Sequence, residues 1–231
     1  MVVMKRQVSP FTWPIERKSD TYVVVPKGGA IRSTLPVCIA VRDMLRYADN
    51  VRELKSMINR KIIRVDGKLV KDYSNYISIM GILTIGTENF RLLPTKKGYG
   101  LFSPENDVDK KLLKIVNKTV LRGNKIQLNF HDGRNLIIEK DSYKTGDVVV
   151  FDLNSKKLID VVECKRGALV IITDGKNRGV IGKLEKIITV RNTQQNRVLV
   201  KSGEKKIETL KDYVFVIGVD KPVIDMGDVV V

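Results

Sequence analysis

Residues 165–184 read KRGALVIITDGKNRGVIGKL, and the rest of the chain is organised around this stretch. Ala168 to Ile172 is a short apolar run, rich in β-branched residues, and predicts a buried strand. Thr173-Asp174-Gly175-Lys176-Asn177-Arg178-Gly179 follows, then the apolar pair Val180-Ile181 and Gly182. Asp-Gly followed by another glycine, between two β-branched runs, predicts a hairpin with a long loop. Glycine supplies the positive φ angles that a Cβ opposes, and it lets backbone approach a partner closely. Lys176, Asn177 and Arg178 fall at the tip, where they should be exposed and could meet a phosphate or a base edge. Turn chemistry alone would also produce such a loop, with a solvated basic tip.

Composition bears on that choice. The 231 residues include 42 Lys and Arg against 26 Asp and Glu, a formal charge of +16. An excess of this size opposes compaction and points to a polyanionic partner. Nucleic acid is favoured over a membrane surface, because no basic amphipathic helix with a broad apolar face is visible and no apolar run is long enough to span a bilayer. The first residues, MVVMKRQVSPFTWP, lack the apolar core of a signal peptide. Cys38 and Cys164 show no metal-ligand spacing and read as small core residues of a reducing compartment. A basic cytoplasmic protein with no cofactor, metal or small-molecule substrate is expected.

In chain order, residues 1–35 have no sustained period and carry several prolines and the pair Gly28-Gly29, which predicts a basic extended arm. Lys5, Arg6, Arg17 and Lys18 are its candidate RNA-binding cations. Trp13, the only tryptophan, should fold onto the chain's own surface, with stacking in an RNA crevice as the alternative. Pro36 opens a helical pattern through Val37, Val41, Leu45 and Ala48. Asn50-Val51-Arg52-Glu53 has the form of a capping box for a second helix, whose stripe is Val51, Leu54, Met57 and Ile58. Ile62 to Val70 then predicts two short strands around Asp66-Gly67. Arg42 and Arg46, four apart, and Arg52 and Lys55, three apart, should share helix faces. Residues 1–100 hold 18 Lys and Arg against 8 Asp and Glu, a net +10 of the +16. Residues 36–95 are therefore read as one unit, and Lys96 to Gly100 as a flexible junction.

Beyond that junction Val108, Leu112, Ile115 and Val116 have the spacing of a short helix. Ile126, Leu128 and Phe130 alternate with polar residues as a half-buried strand does, His131-Asp132-Gly133-Arg134-Asn135 is a turn, and Leu136 to Ile138 is the return strand. Hairpins at regular spacing predict a small barrel over 96–164 and a second over 165–218, with 219–231 as a tail. GDVVV occurs at 146–150 and again at 227–231, too short a string to establish duplication.

Two local resemblances add to this reading. The 165–184 stretch resembles the KOW motif, a hairpin and loop of RNA-binding ribosomal proteins and elongation factors. Helix, helix and hairpin, ending in VDGKLV, resembles an RNA-binding module found in some ribosomal proteins, pseudouridine synthases and tyrosyl-tRNA synthetases. That likeness implies an RNA-facing surface at Arg42, Arg46, Arg52, Lys55, Arg60, Lys61 and Lys68. QLNFHDGRN, PFTWPIERK and YVFVIG, taken in order with the modules, resemble the small-subunit ribosomal proteins of the S-four-e family, with a lean towards the archaeal type because no long C-terminal extension is present. The family likeness implies an α+β multidomain chain that binds small-subunit rRNA beside neighbouring ribosomal proteins and catalyses nothing. His131, Arg134, Lys176, Asn177 and Arg178 complete the candidate RNA-binding set. An RNA-modifying enzyme or an elongation factor built from the same modules is the alternative. The enzyme would need a separate catalytic domain, which the hairpins after residue 100 leave no room for. His131 is the only histidine, no GxSxG elbow occurs, and no GxxxxGK[ST] loop is present.

Overall fold

The computed structural model describes residues 3–123, 125–190 and 195–229. Strands dominate, and helices are few. The chain divides into two compact units, residues 1–109 with 226–231, and residues 110–225.

In the first unit β1 (Val3–Lys5) pairs antiparallel with β2 (Tyr22–Val24). β3 (Thr34–Pro36) pairs later in the chain, after a helical turn over Ile39–Met44 wound with π-type hydrogen bonds. The wider winding bonds the Leu45 N–H to the Ala40 carbonyl, and Arg46 at φ 56° then turns the chain away. The helix expected to run to Ala48 thus ends a turn early, and the i, i+4 argument for Arg42 and Arg46 lapses with it. Helix α1 (Val51–Asn59) starts where the capping box predicts. The Asn50 side chain accepts from the N–H groups of Arg52 and Glu53 at 2.9 and 3.0 Å, and Glu53 reaches back to the N–H of Asp49 at 2.9 Å. Leu54 and Ile58 are the buried stripe.

β4 (Ile63–Val65) and β5 (Lys68–Leu69) flank Asp66 and Gly67, both at positive φ as a tight Asp-Gly hairpin turn requires. β6 (Tyr76–Ser78) pairs with β3. β7 (Ile82–Ile85), β8 (Glu88–Pro94) and β9 (Tyr99–Ser103) extend the β4–β5 hairpin into a larger antiparallel sheet. Residues 96–100 are therefore no junction. Gly98 lies against the Thr12 carbonyl, 2.7 Å from where its Cβ would stand, and the Tyr99 N–H donates to that same carbonyl at 2.7 Å. The expected arm is folded too, because some of its side chains find cover: Trp13 is buried with Nε1 donating to the Thr34 carbonyl at 2.8 Å, and Ser9, Thr12 and Val23 are buried, while Val8, Phe11 and Tyr22 stay exposed.

The second unit opens with β10 (Lys110–Val120), eleven residues of strand where a short helix was expected. Pairing on both edges overrides the helical spacing: β10 lies between β11 (Ile126–Phe130) and β13 (Val148–Asp152). β12 (Asn135–Ile138) and β14 (Leu158–Val162) complete a sheet of order β12-β11-β10-β13-β14. Leu113, Ile115, Leu128, Phe130, Val149 and Phe151 form its core. β15 (Leu169–Ile172), β16 (Ile181–Ile188), β17 (Arg197–Ser202), β18 (Lys205–Leu210) and β19 (Val214–Gly218) form a second five-stranded sheet, order β18-β17-β16-β15-β19. The strand over KKIETL was not anticipated, since its charges obscure the half-buried Ile207 and Leu210. In both sheets the outer strands pair on one side only among the described residues, so each is open by hydrogen bonding where a barrel was expected.

Residues 110–164 and 165–218 share this unit instead of forming two, and residues 96–109 belong to the first unit. Lys114 of β10 donates from Nζ to the carbonyls of Asp212 and Val214, both at 2.8 Å. Desolvation pulls its ammonium down to about 8, more than Asp212 and Cys164 raise it. The expected C-terminal tail returns to the first unit, where β20 (Asp228–Val229) pairs with β9. The last two residues of the second GDVVV lie outside the described set.

Candidate nucleic-acid interface

The β15–β16 loop is built as its glycines require. Gly175 and Gly179 have φ of 87° and 76°, values that L side chains rarely adopt. Its base is clamped: the N–H and hydroxyl of Thr173 donate to the Tyr213 carbonyl at 2.8 and 2.9 Å, and the Gly179 N–H donates to Ile172 at 2.7 Å. Asp174 is spent locally, its Oδ1 accepting from the Gly175 N–H at 2.7 Å. Beside the loop lies a cleft of about 420 Å³ lined by Gly175, Lys176, Asn177, Arg197, Glu208, Thr209, Leu210 and Tyr213. Glu208, the only carboxylate of that lining, is paired with Arg197 at 3.0 Å, which leaves the charge of exposed Lys176 uncompensated. Asn177 and Arg178 are only half-exposed. Nε and Nη1 of Arg178 are buried without a hydrogen-bond partner among the described residues, so Arg178 faces inward more than a tip residue should.

The turn at 131–135 is different in kind. Asp132 is 5% exposed and pairs with Lys111, a lysine with no exposed surface, at 3.1 Å. It also holds the Arg134 guanidinium at 3.1 Å and accepts from the Arg134 N–H at 3.0 Å. Burial would push its carboxyl up, but Lys111, His131 and both bonds from Arg134 outweigh that and hold it below the usual range. His131 accepts from the Lys114 N–H at Nδ1 and sets its ring edge-on to Phe215, 5.3 Å between centroids. His131 and Arg134, candidates for RNA contact, thus serve the turn's interior. Asn135 is exposed.

The cations of the first unit divide in the same way. Arg6 is buried against Asp20 at 3.0 Å, and Arg42 bonds Asp43 through two nitrogens at 2.7 and 3.0 Å. A cleft of about 660 Å³ does gather Arg6, Arg42 and Arg46, but Glu16, Asp20, Asp43 and Asp49 line it with them, so it carries no net positive charge. Arg17 gives both terminal nitrogens to backbone carbonyls, of Gln7 and Ser9. Among the described residues, exposed cations with no carboxylate partner lie elsewhere. Arg52 is on α1, Arg60 caps it, Lys61 follows at φ 59°, and Lys68 stands beside the Asp-Gly turn. Lys55, also exposed, rests over the Tyr73 ring at 5.2 Å. Lys5, Lys18 and Arg46 are exposed as well.

Among the described residues no group of three or more His, Cys, Asp or Glu could hold a metal ion, and no helix is long and apolar enough to cross a membrane. Burial pushes the thiols of Cys38 and Cys164 up, away from the reactive thiolate.

Comparison with known proteins identifies the family. The family model described as Ribosomal family S4e matches residues 87–158. Over 225 residues the chain is 39% identical to the small ribosomal subunit protein eS4 of Methanocella arvoryzae, covering 96% of each chain. It is 38% identical over 230 residues to that of Methanothermobacter thermautotrophicus, covering 96% of this chain and 95% of the other. The crystal structure of the 30S ribosomal protein S4e from Thermoplasma acidophilum superposes with a TM-score of 0.70 at 29% identity, over 80% of this chain and 95% of that one. With identity near 40% sustained over almost the full length of both partners, the chain belongs to the S4e family of ribosomal proteins.

Proposed function

We propose that this protein is a structural constituent of the small ribosomal subunit that binds small-subunit rRNA through two separate basic surfaces. One is the end of α1 with the following hairpin, Arg52, Lys55, Arg60, Lys61 and Lys68, read as the RNA face of a two-helix module over 36–95. The other is the β15–β16 loop around Lys176 and Asn177, read as a KOW-type hairpin within 165–218. The observation that carries this reading is that the cations of these surfaces stand exposed and, among the described residues, without carboxylate partners, while other candidate cations are neutralised internally. Such cations displace counterions from phosphates, and rigid strand ends fix the local shape of the RNA. Neighbouring ribosomal proteins are the other expected partners, and the protein is no enzyme.

The test is a salt titration of the full chain on naked small-subunit rRNA. Each phosphate neutralised should contribute a slope of about 0.7 to 0.9 in log affinity against log salt. A flat titration, or sedimentation of the native protein free of small subunits at low salt, would refute the reading.

A further inference from the structure

Among the described residues Phe11 is the most exposed of the large apolar side chains, at 79%, two positions before buried Trp13. Its pose is built. Arg17 lies over one face of the ring, with Cζ 4.0 Å from the centroid. The same guanidinium donates to the Gln7 and Ser9 carbonyls, each at 3.0 Å, tying together the turn that carries Phe11. On either side in sequence the chain is anchored. Ser9 is buried with its hydroxyl on the Arg6 carbonyl, and the Thr12 carbonyl accepts from the Tyr99 N–H. Trp13 is pinned through Nε1 to Thr34. A ring fixed this firmly, with one face on a cation and the other open, has paid its ordering cost before any partner arrives.

We propose that Phe11 is a stacking platform for an unpaired RNA base, with Arg17 as the positioning residue that holds the ring in place. The occupant is argued from charge. The open ring sits on a segment with exposed Lys5 and Lys18, in a half of the sequence that carries most of the +16 excess. Aromatic faces flanked by cations hold single-stranded bases with little sequence preference. This rests on the rRNA-binding reading and sharpens it: the aromatic contact belongs to Phe11, and Trp13 is a buried anchor of the same segment.

The full chain and its Phe11→Ala, Phe11→Tyr, Phe11→Trp and Arg17→Met variants are titrated with naked small-subunit rRNA at fixed salt. Phe11→Ala should weaken binding by roughly 10- to 100-fold, the loss of one stacked base. Its thermal midpoint should not move, because the side chain is exposed. Phe11→Tyr should bind as the parent does. Arg17→Met should fall between, with the salt slope unchanged, since its nitrogens face carbonyls and not phosphates. In Phe11→Trp, emission above the buried Trp13 background should be quenched on binding. If the parent binds, but Phe11→Ala binds equally well and Phe11→Trp emission is unquenched, the stacking inference is overturned while the rRNA reading stands. If Phe11→Ala binds rRNA normally yet fails to enter subunits reconstituted with the other proteins, the ring contacts protein, which also overturns it. Failure of the parent itself to bind refutes the broader reading instead.

Discussion

Two loops of the second unit look alike in sequence, HDGRN at 131–135 and TDGKNRG at 173–179, and the structure uses them in opposite ways. Each places an aspartate before a glycine at positive φ, followed by a cation. In the first, Asp132 turns inward onto fully buried Lys111, and Arg134 folds down with it. In the second, Asp174 caps its own turn, and Lys176 is left to solvent. What separates them is a residue distant in the chain: β10 brings a lysine beneath one aspartate, and nothing comparable pairs with the other among the described residues. A motif written in local sequence thus becomes a core element or a docking surface according to its non-local neighbours.

The largest effect should come from breaking the buried pair. Lys111→Met leaves buried Asp132 with only Arg134 to balance its charge, and should cost up to about 3–5 kcal/mol by urea denaturation. Asp174→Asn should cost no more than about 1 kcal/mol, the scale of one exposed local bond. Equal losses at the two sites would abolish the distinction. Next in size, Gly179→Val forces a β-branched residue to φ 76° and should cost on the order of 1–3 kcal/mol. If it proves neutral, the loop is softer than its clamp at Thr173 implies.

Acid sharpens the same contrast. Asp132 has its folded pKa held below the unfolded value of about 3.9, so its contribution is complete above that pH and is lost as pH falls through the folded value. Asp132→Asn should therefore be less stable than the parent at pH 7 but lose less stability between pH 5 and pH 2. Parallel acid limbs in parent and variant would assign the acid sensitivity to other carboxylates. The smallest expected change in stability is at Lys176. Lys176→Ser should stay within about 0.5 kcal/mol of the parent. It should still lower the rRNA salt slope by about 0.7 to 0.9, one phosphate contact.

Local chemistry was legible wherever the partners are near neighbours. The Asn50 cap with its Glu53, the Asp66-Gly67 turn, and the positive φ at Gly175 and Gly179 all follow from residues within a few positions of each other. The reading failed where pairing comes from afar. The spacing of Val108, Leu112 and Ile115 suits a helix, but strands on both sides made it β10. Val37 to Ala48 has a helical period, yet the chain winds wider and stops at Met44. Arg6 reads as a free cation, yet Asp20 is on it; Arg42 and Arg134 read so too although their carboxylates, Asp43 and Asp132, are near neighbours, because adjacency does not say which side chains meet. Phe11 gives no signal of its own within PFTW, because exposure is not written in sequence.

By itself the sequence determined a basic, strand-rich chain with a glycine-shaped hairpin, and its family likeness placed it among ribosomal proteins. Net charge, β-propensity and turn chemistry are properties of residues and their immediate neighbours, so they survive without a fold. The tertiary structure decided which cations remain free. Burial and ion pairing depend on which side chains meet in space, and a carboxylate about 3 Å away cancels a charge that position in the chain leaves undecided.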